Sequence, residues 1–137
     1  MIVGMGCDLA NIDRIETAIE KFGARFVNKI FSEAELAEMQ RREKISKREY
    51  ACMAAKRFAA KEACSKALGT GLQKGTFWRD MVVTHMAGGR PVLRLYNGAA
   101  AHLSRLCGAG KANVLVTMTD DYPWAQAFVV IEKIQSI

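Results

Sequence analysis

The 137-residue sequence predicts an α+β domain, a largely antiparallel sheet packed with one long central helix. Three observations carry this expectation. Strand-like runs open and close the chain, at residues 2–9, 113–119 and 125–134. An alanine-rich helical stretch fills the middle, starting after Ser46 and stopping at Gly69. Turn signals of the hairpin type, rather than crossover helices, join the late strands. Length and even composition predict that residues 1–137 form one domain.

Each element has a local reason. Residues 2–9 are short and apolar and end in an aspartate, as a buried strand does. Asn11 caps a helix whose Ile12, Ile15, Ile19 and Phe22 form a 3.6-residue stripe ending at Gly23. Ser32 with Glu35 has capping-box spacing and opens a short helix to about Arg41. Ser46 with Glu49 repeats the signature and opens the long helix to Leu68. Lys44, Lys47 and Arg48 form a solvated basic stretch at its start. Residues 81–86 and 92–96 read as strands joined through Gly88-Gly89 and Pro91. Asn97 is expected to cap a helix through Leu103 and Leu106 that ends at Gly108. Asp120-Asp121-Tyr122-Pro123 reads as the last hairpin, and the methionines and aromatics of the late strands read as core.

Composition narrows the class. Half the residues are hydrophobic and a quarter charged, the balance of a globular protein. No run of about 18 apolar residues exists, so no membrane span is expected. The first eight residues lack a basic region and meet Asp8 early, unlike a secretory leader, so the expected location is cytoplasmic. Cys7, Cys52, Cys64 and Cys107 are scattered, which gives neither a zinc site nor a disulfide framework and reads as buried, reduced thiols. The formal charge of +6 favours an acidic partner: nucleic acid, an acidic protein or a phosphorylated small molecule.

Two segments hold the chemistry. Asp8 stands where the first strand meets its helix, and Glu62 ends an apolar line of the long helix made by Ala51, Ala55 and Phe58. A carboxylate in that place requires a partner, either a cation or a metal. Mg²⁺ needs few protein carboxylates when phosphates and waters complete its shell, and Asp8 with Glu62 supplies such a pair. Lys66 and Arg57 are candidates for phosphate oxygens, and Gly69-Thr70-Gly71 for close backbone approach to a pyrophosphate. Ordinary readings stand beside these. Asp8 also suits a turn, and Glu62 with Lys66 also suits a surface pair of about 0.3–0.5 kcal/mol. The stretch from Gly69 to Gly75 follows a helix and lacks Walker spacing, so it is not a P-loop. His85 and His102 have no partners at useful spacing and read as ordinary polar side chains.

Taken together, the string Gly6-x-Asp8-Leu9-x-x-Ile12-x-Arg14-Ile15 and the string from Arg57 through Lys61-Glu62-Ala63-x-x-Lys66 to Gly69-Thr70-Gly71 resemble the two signature motifs of holo-acyl-carrier-protein synthases. These are the small bacterial branch of the phosphopantetheinyl transferase superfamily, and Gly89-Arg90-Pro91 looks like their Gly-Lys/Arg-Pro turn. The resemblance implies the 4'-phosphopantetheinyl transferase-like fold and transfer of phosphopantetheine from coenzyme A to a serine of apo-acyl carrier protein, in fatty acid biosynthesis. It implies Mg²⁺, replaceable by Mn²⁺, held by Asp8 and Glu62, with Lys66 touching the phosphates. Glu62 or a metal-bound water would accept the serine proton. Arg57, Gly69, Gly71 and Pro91 would line the coenzyme site. Similar enzymes are homotrimers with interfacial sites, and their basic first helix docks the acidic carrier; Arg14 carries over to that role and Arg25 joins it on charge and location. Many relatives place a histidine where this chain has Asp120, which reads here as a plain hairpin residue. The alternatives are a basic nucleic-acid-binding module, disfavoured by carboxylates interleaved with the central cations, and a homologue that binds coenzyme A without turnover. Neither nucleic acid nor membrane is expected as a partner.

Overall fold

The computed structural model describes residues 1–44 and 46–135. Strand β1 (Ile2–Asn11) leads into helices α1 (Ile12–Phe22), α2 (Ala24–Ile30), α3 (Glu33–Glu43) and the long α4 (Lys47–Leu68). A 3-10 turn at Trp78–Asp80 precedes β2 (Met81–His85) and β3 (Pro91–Leu95), and α5 (Asn97–Cys107), β4 (Lys111–Asp121) and β5 (Trp124–Ile134) follow. All pairing is antiparallel, as expected, but divided between two sheets: β1-β5-β4 and the hairpin β2-β3. No helix among the described residues is long and apolar enough to cross a membrane.

The helix ends follow their local signals. Asn11 Oδ1 accepts from the Arg14 N–H at 3.1 Å, and Ser46 Oγ accepts from the Glu49 N–H at 2.9 Å. Ser32 and Glu35 close a reciprocal box, at 2.9 and 3.3 Å. Gly69 ends α4 in the left-handed region, φ 81°, which glycine adopts without a Cβ penalty.

Three local expectations are corrected. Helix α2 is additional: Gly23 ends α1, but the chain turns straight into seven further helical residues, too few to show a period. Asn97 does not cap α5. It is the first helical residue, at φ 50°, and its side chain donates to Asp80 Oδ1 at 2.9 Å instead. Asp120 lies inside β4, opposite Ala125, so the last turn is only Tyr122-Pro123, joined by a cis peptide bond.

The long helix lies against the inner face of the three-stranded sheet. Along β5 the alternation buries Ala125, Ala127, Val129 and Ile131, and along α4 the buried side is mostly alanine. Small side chains on both surfaces let helix and sheet approach closely. The opposite face of this sheet is open. Met5 pairs with Val130 and then Leu115, Cys7 with Phe128 and then Thr117, and Leu9 with Gln126 and then Thr119. Met5 is 67% exposed, Leu9 51% and Phe128 45%. The late-strand aromatics are therefore not all core, because the strand period of two points Phe128 and Trp124 away from α4. Of the free cysteines, Cys64 and Cys107 are buried as expected, Cys52 is half-buried and Cys7 is exposed on the open face.

Candidate functional site

Asp8 is positioned by two glycines. Gly4, Gly6 and Asp8 alternate onto the face of β1 turned to α4. A Cβ on Gly4 would lie 2.2 Å from the Ala67 carbonyl oxygen, and one on Gly6 would lie 1.9 Å from that of Ala63. Only glycine permits this backbone contact, and two residues further on Asp8 reaches the helix with its carboxylate.

There Asp8 Oδ1 accepts from Lys66 Nζ at 2.9 Å, and the same ammonium reaches the Cys7 carbonyl at 3.2 Å. That hydrogen bond and the Asp8 charge raise the Lys66 pKa. Glu62, one helical turn before Lys66, has its carboxyl raised above the ordinary range, first by partial burial and then by the charge of Asp8, with Lys66 opposing. The three predicted residues thus converge in one electrostatic cluster, with Lys66 half-exposed. With burial and the Asp8 charge both raising the Glu62 carboxyl, this pair is poised to accept more positive charge than a single lysine provides.

The remaining predicted residues lie around this cluster rather than in it. Gly69 and Gly71 have φ of 81° and 61° in the loop just beyond Lys66, where an added Cβ would meet nothing within 4 Å. Arg57 sits five residues before Glu62, about 140° round the helix. Its side chain is 1% exposed and donates to Glu38 Oε1 at 2.8 Å. With Glu38, Arg41, Lys56, His85 and Gly89 it lines a cleft of about 410 Å³ whose walls do not include Asp8 or Glu62. Pro91 opens β3 opposite His85 and lines a separate hollow with Arg90 and β4. Arg14 and Arg25 are both exposed, but on two helices, α1 and α2. Helix α1 is not basic by itself: Asp13, Glu16 and Glu20 stand against Arg14 and Lys21. Two of its acids are engaged, Asp13 by the Tyr122 hydroxyl and Glu16 by Arg48 at 3.3 Å. Arg48 also lies 4.2 Å from the Tyr122 ring centroid, so part of the basic stretch ties α4 to α1 and the last turn.

Local signals hid several residues. Glu35 caps α3, yet it is fully buried and also binds Lys61 Nζ at 2.7 Å and the Val83 N–H at 3.0 Å. Lys61 completes its three donors on the Trp78 and Met81 carbonyls, at 2.8 and 2.6 Å. Burial lowers the Lys61 pKa and the Glu35 charge opposes it. His85 is not partnerless, because its Nδ1 meets Glu38. Asp120 is more than a hairpin residue: it binds Lys56 at 3.1 Å and the Cys52 thiol, and Lys56 holds its pKa down against burial.

Residues 4–127 match the family model described as the 4'-phosphopantetheinyl transferase superfamily. A holo-[acyl-carrier-protein] synthase of Agrobacterium fabrum is 51% identical over 135 residues, covering 98% of this chain and 97% of the relative. One from a Bradyrhizobium strain is 53% identical, covering 98% and 96%. Among solved structures, the crystal structure of holo-[acyl-carrier-protein] synthase from Neisseria meningitidis superposes with a TM-score of 0.80 at 35% identity, covering 97% of this chain and all of that one. The synthase from Bacillus anthracis, crystallised in complex with CoA (3',5'-ADP), gives 0.78 at 30% identity over 97% and 98%. The α+β architecture, the paired motifs and these matches agree: the chain belongs to the 4'-phosphopantetheinyl transferase superfamily, in its holo-[acyl-carrier-protein] synthase branch.

Proposed function

We propose that this chain transfers the 4'-phosphopantetheine arm of coenzyme A to a serine of apo-acyl carrier protein, as one domain, releasing adenosine 3',5'-bisphosphate. The observation that carries the reading is the convergence of Asp8 and Glu62 beside Lys66, made possible by the Gly6–Ala63 contact. The names of relatives at 50% identity and above support the same reaction.

Asp8 and Glu62 are the proposed Mg²⁺ ligands, with Mn²⁺ able to replace it. Among the described residues no group of three or more His, Cys, Asp or Glu side chains gathers as a metal site. A pair fits Mg²⁺, which keeps waters and takes substrate phosphate oxygens. Bound there, the ion would polarise the phosphoryl group under attack. Lys66 places a second positive charge beside the phosphates and the leaving group. Glu62 or a metal-bound water, either of which would sit near the incoming hydroxyl, would accept the serine proton. Arg57, Gly69, Gly71 and Pro91 line the coenzyme site. Arg14 and Arg25 face the acidic carrier, whose approach the net positive charge assists.

The open sheet face supports the homotrimer. A row of exposed Met5, Leu9 and Phe128 is an apolar patch of the kind that subunits cover. The separation of Asp8 and Glu62 from the Arg57 cleft within one chain supports sites completed at subunit interfaces. We place the enzyme in the cytoplasm, serving fatty acid biosynthesis. The test is incubation with coenzyme A, Mg²⁺ and apo-carrier, followed by mass spectrometry of the carrier. A carrier heavier by one phosphopantetheine arm is expected. An unmodified carrier, under conditions where a related synthase modifies it, overturns the proposal.

A further inference from the structure

We infer that α5 is the anchor of the loop that follows α4, and that His102 is the positioning residue that holds this loop ready for the coenzyme. The inference rests on the reading of Gly69 and Gly71 as part of the coenzyme site.

The loop is tied down at three levels. At its root the Thr70 and Gly71 N–H groups both donate to the Ser65 carbonyl, at 3.2 and 3.1 Å. Across its waist the hydroxyls of Thr70 and Thr76 lie 3.0 Å apart, and Thr76 is buried. At its tip Lys74 is held at φ 57°, a left-handed conformation that a lysine adopts only when its surroundings enforce it. The restraint comes from α5. His102 Nε2 lies 2.7 Å from the Lys74 carbonyl oxygen, and Arg105 Nη2 lies 2.9 Å from His102 Nδ1.

The chemistry of these atoms fixes the proton. A carbonyl only accepts and a guanidinium only donates. Nε2 must therefore carry the hydrogen and Nδ1 the lone pair, so a single neutral tautomer satisfies both contacts. Arg105 donates to His102, and His102 donates to the loop. One turn earlier, Gly98 is pressed on the loop itself: a Cβ there would lie 1.9 Å from the Gly75 carbonyl oxygen. The start of α5 is locked in turn, since Tyr96 N–H donates to the Asp80 carbonyl at 2.8 Å and Asn97 binds Asp80.

A loop with Gly69, Gly71 and Gly75 would otherwise lose much backbone freedom on meeting a ligand. Anchoring it beforehand moves that loss into folding, and coenzyme binding gains accordingly.

The experiment compares wild type, His102→Ala and His102→Gln as full-length enzyme with Mg²⁺. Coenzyme A binding is read by calorimetry, KM for coenzyme A and for carrier by turnover, and loop order by hydrogen–deuterium exchange over residues 70–76. For His102→Ala we expect faster exchange in the loop and a KM for coenzyme A raised about five- to twenty-fold, with kcat and carrier KM within about two-fold. Glutamine, which keeps a donor, restores most of both. Wild-type exchange and affinity in His102→Ala overturn the anchor. Faster exchange with unchanged coenzyme affinity overturns the loop's part in the coenzyme site instead. Equal loss toward both substrates, with a lowered melting temperature that glutamine does not rescue, reduces His102 to a folding contact. Absence of coenzyme A binding by wild type removes the reading beneath the inference.

Discussion

Gly6 and Ala63 are in backbone contact, so the distance between the strand that carries Asp8 and the helix that carries Glu62 is set by main-chain atoms. Gly6→Ala must push β1 off α4. We expect a stability loss of about 1–3 kcal/mol by urea unfolding. Transfer should fall further, by about a hundred-fold, because a displacement near 1 Å suffices to draw the two carboxylates away from the ion they are proposed to share. A variant with normal turnover would show that the contact does not set the site.

Glu62→Gln keeps the shape and removes the charge. Transfer is expected to drop by about a thousand-fold, read as carrier mass. Stability should move the other way. Burial and Asp8 raise the folded-state pKa of Glu62 above its unfolded value, so the folded chain holds this proton more tightly. Measured without divalent cation, the wild type therefore loses stability as pH rises through the interval between those two values, and regains it on acidification through the same interval. Glutamine removes that slope. Melting temperature against pH for both proteins checks the sign.

Lys61 is the neighbour of Glu62 in sequence but belongs to the core. Lys61→Met leaves Glu35 as a buried charge without its cation and should cost about 3–5 kcal/mol in urea unfolding. The double change Lys61→Met with Glu35→Leu should recover part of this. If the single change leaves stability intact, the Glu35–Lys61 pair does not organise the interior.

Arg14→Glu is expected to raise the KM for the carrier several-fold, with the KM for coenzyme A little changed. Added salt should narrow the difference between variant and wild type, since exposed charges are screened. Equal damage to both substrates would remove Arg14 from the docking surface.

The cysteines report on the open sheet face. Burial, with Asp120 beside it, pushes the Cys52 thiol up to about 11, and burial pushes Cys64 up to about 12. Only an accessible thiolate reacts with a maleimide, so both should stay unlabelled at pH 8 while the fold is intact, and Cys64, fully buried, should label only on unfolding. Cys7 should be protected in the assembled enzyme and label quickly in Phe128→Asp, which places a charge in the proposed subunit contact. Sedimentation should show that variant as smaller than wild type.

Much of the scaffold is written locally. Asn11, Ser32, Ser46 and Gly69 mark helix ends within a turn of where they act, and the structure keeps all four. Glu35 shows where such reading stops. Its capping role is visible three residues away, whereas its ion pair with α4 depends on a tertiary approach that no local pattern encodes. Asn97 went to Asp80 rather than to its own helix for the same reason. The Asp8–Glu62 meeting was legible through the paired motifs, and Gly4 and Gly6 are its physical cause. Arg57 reads as a phosphate contact beside Lys66 from its charge and by motif, but its helical phase turns it toward Glu38, in the cleft that His85 also lines.

The exposed row of Met5, Leu9 and Phe128 has an enzymological corollary. If neighbours complete each working cleft, turnover per chain is itself a function of how much protein is in the tube. Assays run at great dilution would then understate the catalyst, and a lag after dilution would time the parting of its subunits.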